Sequence, residues 1–487
     1  MSLSLLLACP LIGMLIVLAL PRGAVRAIRA TALLATGGAL LISLKLLFAF
    51  RPGAAGMQFL ERAPWIPPLN IFYHLGVDGI SLPLVVLTAL LGFLACVASS
   101  SIAERHKEYF ALYLLLEVGM LGTFLALDLF LFYIFWELVL VPMYFLIGIW
   151  GGGRREYSAF KFFVYTLAGS LAMLLAILAL YVRTRTFDLL ELAAMGHTFE
   201  LGFQQLLFLA FFLGFAVKVP IFPFHTWLPD AHVDAPTPAS VLLAGVLLKM
   251  GGYGFFRIAY PICPEAAMGF GGAMALLGAV NIVYGGFVAM AQTDFKRLVA
   301  YSSVSHMGFV LLGLASLTPE GLNGAMFQMV SHGLVTGGMF LLVGVLYDRT
   351  HTRELSDFGG LGARMPVYAG VLIFFSLASL GLPSLSGFVG EFLALVGAFG
   401  AWRWQTVVSL LGIVAAAVYM LQVIQRVLLG PLNDKWRALP DMTLRESVSL
   451  APLLLIVLAL GVAPLALLTV QDGALQRLIV HVVGTIK

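Results

Sequence analysis

Lys218 lies inside an apolar helix, Phe211-Phe-Leu-Gly-Phe-Ala-Val-Lys218-Val-Pro220-Ile-Phe-Pro223-Phe-His225, which two prolines then interrupt. An ammonium at membrane depth costs about 2.5 kcal/mol or more, so it is rarely kept without a task. Glu391 follows a second interruption, Gly381-Leu-Pro383-Ser-Leu-Ser-Gly387. Paired interrupted membrane helices point to an ion site. Glu137 stands in Leu131-Phe-Tyr-Ile-Phe-Trp136-Glu137-Leu, near the middle of the fifth apolar span. A lone buried carboxyl or amine goes neutral, whereas the two side by side hold both charges. The separation of a Glu137–Lys218 pair therefore sets whether Lys218 keeps its proton, which is the control a proton pump requires. A purely structural ion pair is the other reading of the same residues.

Further ionisable groups extend the chemistry. Lys249 ends the run Leu242-Leu-Ala-Gly-Val-Leu-Leu-Lys249 and is the natural acceptor beyond Lys218, unless it snorkels to an interface. His225 lies seven residues after Lys218 and shares its face if the chain is again helical after Pro223. His306 and His332 fall on successive later helices, flanked by Ser302, Ser303, Ser305, Ser331 and Thr336. Imidazole both donates and accepts near neutrality, which suits a proton wire; three satisfied packing residues are the plainer account. Glu117, central in Tyr113-Leu-Leu-Leu-Glu117-Val-Gly, fits either a second acid of the relay or a contact to a neighbouring subunit. Glu391 fits either proton release at the end of the path or a brace for the broken helix. Lys45 and Asp128 read as helix-end or interface charges.

The elements that must position these groups are membrane helices. The 487 residues are 61% hydrophobic, with a net charge of +4 and a mean hydropathy of +1.01. Apolar runs of about 20 residues recur throughout, each long enough to cross the hydrocarbon. The chain reads as an all-α membrane protein of about fourteen spans, from 2–20 to 446–470, in a single domain over 1–487. The first run lacks a basic leader region and a cleavage site, and reads as a retained helix. Residues 51–73, rich in proline, read as an extramembrane loop, 188–201 as an amphipathic link, and the tail after Gln471 as a surface helix. The loops on one side carry 17 Lys and Arg against 8 on the other, which places both termini outside, in the periplasm if the chain is bacterial. The broken seventh and twelfth spans each stand fourth in a group of five. The expected organisation is a three-helix segment (1–108), a first five-helix repeat (109–259), a second, inverted repeat (267–430), and a last helix with tail (446–487). Cys9, Cys96 and Cys263 lie far apart and offer no metal or cluster spacing. No phosphate loop, dinucleotide fingerprint or haem attachment motif occurs, so redox chemistry falls to a partner.

The run His225-Thr-Trp-Leu-Pro-Asp230-Ala-His232-Val-Asp-Ala-Pro236-Thr-Pro238-Ala-Ser-Val-Leu-Leu-Ala-Gly-Val-Leu-Leu-Lys249 closely resembles the antiporter-like subunits of respiratory complex I, the proton-pumping NADH:quinone oxidoreductase. Asp294-Phe-Lys-Arg297 through His306-Met-Gly-Phe, Trp136-Glu137-Leu, and Ser386-Gly-Phe-Val-Gly-Glu391-Phe are similar to the same family, over roughly 75–430. Within it the chain resembles the M type more than the L and N types, which carry Lys where Glu391 stands. The resemblance implies that Glu137 and Lys218 modulate one proton channel. It also implies that Lys249, His306 and His332 form a central hydrophilic axis and that Glu391 is the exit. It implies partner subunits of the L and N types, membrane lipid around the chain, no nucleic acid, and flavin, iron–sulfur clusters and quinone in partners rather than here. A subunit of a multi-subunit Na+/H+ antiporter or of a membrane-bound hydrogenase is the rival of the same class. A non-transporting scaffold bundle is the rival of another class, and it requires Glu137 to be dispensable for pumping.

Overall fold

The computed structural model describes residues 2–484. Twelve of its helices are long and apolar enough to cross a membrane among the described residues. The remaining crossings are the 17-residue helix Leu3–Ala19 and the pair Pro366–Ser379 and Ser386–Ala401, the two halves of one broken span. Numbered in chain order, span 1 is Leu3–Ala19, span 2 Val25–Ala49, span 3 Ser81–Ser101, span 4 His106–Leu125, and span 5 Leu129–Trp150. Span 6 is Arg155–Thr184, span 7 Leu201–Lys218, span 8 Thr237–Ile262, span 9 Gly271–Met290, and span 10 Phe295–Ser316. Span 11 is Pro319–Thr350, span 12 the broken pair, span 13 Arg403–Leu428, and span 14 Leu444–Val462. The fourteen crossings match the sequence expectation, and the protein is a multi-pass membrane protein.

Two stretches differ from that expectation. Residues 51–73 are not simply a loop. Gln58–Ile66 (β1) and Ile71–Val77 (β2) pair antiparallel, so the third span starts at Ser81 rather than 77. Pro64 sits in the exposed strand β1, where a missing N–H is tolerated, and Pro67 and Pro68 make the turn. Their frequency hides the strand signal. At the other end, span 14 stops at Val462 and a separate helix, Leu465–Val483, begins before residue 471. This helix buries Leu467, Leu475, Leu478 and Val482. His197 ties it down: Nδ1–H donates to Glu265 Oε1 at 2.7 Å, and Nε2–H to the His481 carbonyl at 2.7 Å. Both acceptors need a donor, so the imidazolium is the form that fits.

The Glu265 hydrogen bond, then the His481 carbonyl, raise the His197 pKa above its usual value. A raised histidine contributes stability that is complete below its unfolded value and lost as pH rises through the folded one. The clamp on the terminal helix is therefore expected to loosen on moving from mildly acidic to alkaline pH. Limited proteolysis near residue 484, compared with His197→Asn at each pH, checks this. Equal cleavage of the two proteins at acidic pH would refute it.

An internal correspondence runs through the fold. Asp128 caps the start of span 5, and the chain there bridges to Asp188. Asp294 caps the start of span 10 and bridges to Glu354. Leu129 N–H donates to the Phe187 carbonyl at 2.8 Å, and Phe295 N–H to the Arg353 carbonyl at 2.9 Å. Thr186 Oγ1 donates to Glu191 and Thr352 Oγ1 to Asp357, at 2.6 and 2.5 Å. Each partner stands 166 positions after its counterpart, as Asp128 to Asp294 and Asp188 to Glu354. Five crossings separate the two bridges, so they lie at opposite membrane faces, as inverted copies require. Asp128 is thus a buried cap that also accepts from Phe72 N–H at 3.1 Å, while Lys45 is exposed and free of any such role.

The core runs down span 11, which is buried along its apolar length. Without a water-driven hydrophobic force in lipid, helices associate where small residues let backbones approach. Span 11 meets the second half of span 12 this way. A Cβ added at Gly324 would stand 2.2 Å from Ala394 N, and one at Gly390 would stand 2.8 Å from Gln328 Cα. This close crossing brings the Gln328–His332 face of span 11 to Glu391.

Candidate functional site

Span 7 ends at Lys218 because Pro220 and Pro223 cannot continue its hydrogen-bond ladder. The chain resumes as the helix Trp227–Asp234. The break is closed from within: Ile221 N–H reaches back to the Ala216 carbonyl at 2.8 Å, as Leu382 N–H does to Leu377 at 3.0 Å in span 12. Asn281 of span 9 holds the first break, accepting from Phe222 N–H at 2.8 Å and donating to the Pro220 carbonyl at 3.1 Å. Its signal was visible as a lone amide in an apolar span.

Lys218 is buried, and its Nζ has no hydrogen-bond partner among the described residues. The ammonium instead lies 4.7 Å from the centre of the Trp136 ring. A ring face stabilises a cation by about 2 kcal/mol when desolvated. Glu137, next in the chain, is half-buried and is the charged group that faces Lys218, with Ser170 beside it. The pair is open: among the described residues the amine makes no hydrogen bond to the carboxylate.

Span 8 is wound irregularly on either side of Lys249, with π turns over Leu243–Leu247 and Phe255–Ala259. Such turns are commonest at functional sites because they release a carbonyl from the ladder. Lys249 uses one, donating to the Ala244 carbonyl at 2.5 Å. It does not snorkel. Its Nζ is fully buried and lies 2.6 Å from His332 Nδ1 on span 11. The His332 ring lies 5.6 Å, centre to centre, from that of His306 on span 10. His306 Nδ1 is 2.7 Å from Glu391 Oε1, and its Nε2 is 3.2 Å from Ser379 Oγ at the second break. Gln328 Nε2–H also donates to Glu391 Oε1, at 3.2 Å. A cavity between the two histidines and Glu391 leaves about 10 Å³ for the centre of a water molecule, room for about one. Lys249, His332, His306 and Glu391 thus form one line through four spans, each step a hydrogen bond or a gap with room for about one water.

Two expected members stand apart. The chain from 219 to 226 is not helical, so His225 does not share the Lys218 face. Its Nε2 lies 3.3 Å from Tyr284 Oη on span 9, a packing position beside the break. Glu117 faces Gly92 and Cys96 of span 3, and neither of its oxygens has a partner among the described residues. Lys218 and Lys249 are not in contact either, although a Cβ at Gly251 would lie 3.0 Å from Lys218 Cβ. Sequence reasoning also missed Gln328, four residues before His332 and so on its face, and the buried Arg257–Asp78 ion pair at the far end of span 8. No group of three His, Cys, Asp or Glu side chains placed to hold a metal ion occurs among the described residues.

The model of the family described as NADH:quinone oxidoreductase/Mrp antiporter, TM matches residues 126–418. That of NADH-ubiquinone oxidoreductase chain 4, amino terminus, matches residues 40–128. NADH-quinone oxidoreductase subunit M of Rhodobacter capsulatus is 48% identical over 445 residues, covering 89% of this chain and 86% of the relative. NADH-ubiquinone oxidoreductase chain 4 of Arabidopsis thaliana is 43% identical over 483 residues, covering 99% and 97%. A chain of respiratory complex I from Thermus thermophilus with bound NADH superimposes with a TM-score of 0.89 at 34% identity, covering 98% of this chain and all of that one. With the Lys218 and Glu391 breaks and the buried line between spans lying inside the matched region, the chain belongs to the NADH:quinone oxidoreductase/Mrp antiporter membrane-subunit family.

Proposed function

We propose that this chain is a proton-translocating membrane subunit of an NADH:quinone oxidoreductase. In this reading the proton path runs through Glu137, Lys218, Lys249, His332, His306 and Glu391. The observation that carries it is the continuous Lys249–His332–His306–Glu391 line inside an otherwise apolar bundle. Each member both takes up and releases a proton, and each neighbour lies within reach directly or through one water. Glu137 supplies the control. When its carboxylate approaches Lys218, the ammonium is favoured; when it withdraws, as in the open pair here, Lys218 is free to release its proton toward Lys249. Glu117 and His225 are left out of this path by their surroundings.

Electron transfer from NADH to quinone, with flavin and iron–sulfur clusters, belongs in this reading to partner subunits, including neighbours of the L and N types. The names of the curated relatives support that assembly. In this reading the chain lies in a bacterial inner membrane, and the loop-charge bias supports both termini being periplasmic. Lys218→Ala is the direct test. The complex is expected to assemble and to reduce an artificial acceptor normally, while NADH-driven acidification of inverted vesicles falls at least about tenfold. An assembled variant that pumps normally would sink the assignment. Sodium-driven pH change by the chain with no NADH oxidation in the purified complex would favour the antiporter instead.

A further inference from the structure

At the membrane face with the Lys- and Arg-rich loops, the helix Trp227–Asp234 packs between span 6 and span 10. Three cations meet there on one carboxylate, Asp230. Arg154 immediately precedes span 6, Lys161 lies on that span, and Arg297 is in the first turn of span 10. Lys161 Nζ donates to Asp230 Oδ2 at 2.7 Å, a close ion pair. Arg154 and Arg297 both approach the other oxygen, Oδ1, at 3.8 and 3.9 Å. Those separations are too long for hydrogen bonds. Three positive charges against one negative leave the cluster at +2.

Other basic groups of this face are spent on helix ends. Arg155 donates to the Ile149 carbonyl at 2.9 Å, Lys296 to the Ala235 carbonyl, and Arg353 to the Val233 carbonyl. Arg154 and Arg297 are not. Arg297 Nε is buried without a hydrogen-bond partner among the described residues. Arg154 is 69% exposed and lies over the Tyr157 ring, 5.0 Å from its centre. The nearby acids do not cancel the charge from the same side. Asp234 accepts from Ser158 Oγ at 2.5 Å, and Glu156 points about 100° round span 6 from Tyr157. Below the cluster, span 6 turns an apolar stripe outward on the Tyr157 face. Phe160, Val164, Leu171 and Leu175 are 62%, 43%, 49% and 68% exposed.

We propose that this cluster binds the phosphate of an anionic phospholipid in the adjoining leaflet, with an acyl chain along the Phe160–Leu175 stripe. A guanidinium fork matches phosphate through two parallel N–H donors, and here two forks stand unused beside each other. Basic pockets between membrane helices take such headgroups, and each Lys or Arg near the surface is worth roughly fivefold in affinity. Arg154 and Arg297 turn their donors to the phosphate, while Lys161 keeps Asp230 neutralised. The bound lipid then ties span 6 to span 10 across the short helix that follows the first break. This site depends on the side chains of one membrane face and not on the proton path.

The test uses the protein purified with its bound subunits, in nanodiscs. Phosphatidylglycerol and phosphatidylcholine probes carrying the same diazirine on an acyl chain are photolysed, and labelling of residues 156–175 is read by mass spectrometry. The phosphatidylglycerol probe is expected to label this stretch at least about fivefold more. Arg154→Gln with Arg297→Gln should bring it down to the phosphatidylcholine level. If that double variant does not assemble, Arg154→Gln alone, at an exposed position, should still lower the preference. Equal labelling of the wild type by both probes would overturn the proposal, as would a preference that survives the substitutions. Two further results also would. Labelling by neither probe would show a partner subunit covering this face, and loss of the preference in inorganic phosphate at matched ionic strength would show a site for a free anion.

Discussion

Lys249→Ala is expected to abolish proton pumping, by roughly 100-fold, while the complex assembles and its flavin-side acceptor activity is unchanged. Three consequences follow from one deletion. The amine is the member of the line that touches both the π-turn carbonyl of Ala244 and the ring of His332. Without it, His332 Nδ1 joins the already unpartnered Nε2, and the histidine has no proton donor on its span 8 side. The Ala244 carbonyl also loses its ligand, so some loss of stability accompanies the functional one. Lys249→Arg separates the two effects. A guanidinium satisfies the carbonyl and keeps the positive charge but does not release a proton. Pumping measured by dye quenching in inverted vesicles should therefore be lost in the Arg variant, with its thermal stability close to wild type. Wild-type pumping with arginine at this position would rule out proton carriage by the residue.

The second large effect is expected at Glu391. Glu391→Gln preserves shape and leaves an oxygen to accept from His306 and Gln328, so the second break should hold. What it removes is ionisation. Pumping should fall at least about tenfold, whereas Glu391→Asp, with the acid set back by one methylene, should retain part of it. A brace for the broken helix would behave the other way round. Gln would be tolerated, and Asp, pulled back from the histidine and from Gly381, would destabilise the protein. Initial rates of acidification beside the thermal unfolding of the same preparations decide between them.

Much of the architecture was legible in the residues because the membrane leaves few choices. Backbone groups in lipid must be satisfied internally, so each apolar run of span length is a helix. The prolines at 220, 223 and 383 then mark where two helices break. The hairpin Gln58–Val77 was not legible, since its pattern is interrupted by prolines that only an exposed strand and a turn tolerate. Cost explains why the buried charges stood out. An amine or carboxyl placed at membrane depth against several kcal/mol marks itself in any reading of the chain.

The sequence by itself determined which titratable groups lie inside the membrane and that two of them sit beside helix breaks. Only the tertiary structure decided which groups meet. Periodicity tells which face of a helix a residue occupies, not which helix covers that face. Lys249, His332, His306 and Glu391 come from four different spans, and they align because Gly324 and Gly390 let spans 11 and 12 cross closely. The same packing turns Glu117 toward span 3 and leaves His225 beside Tyr284, out of the line that their chemistry alone would have allowed them to join. Lys218 keeps its place at the first break, its amine over the Trp136 ring and without a hydrogen bond to Glu137.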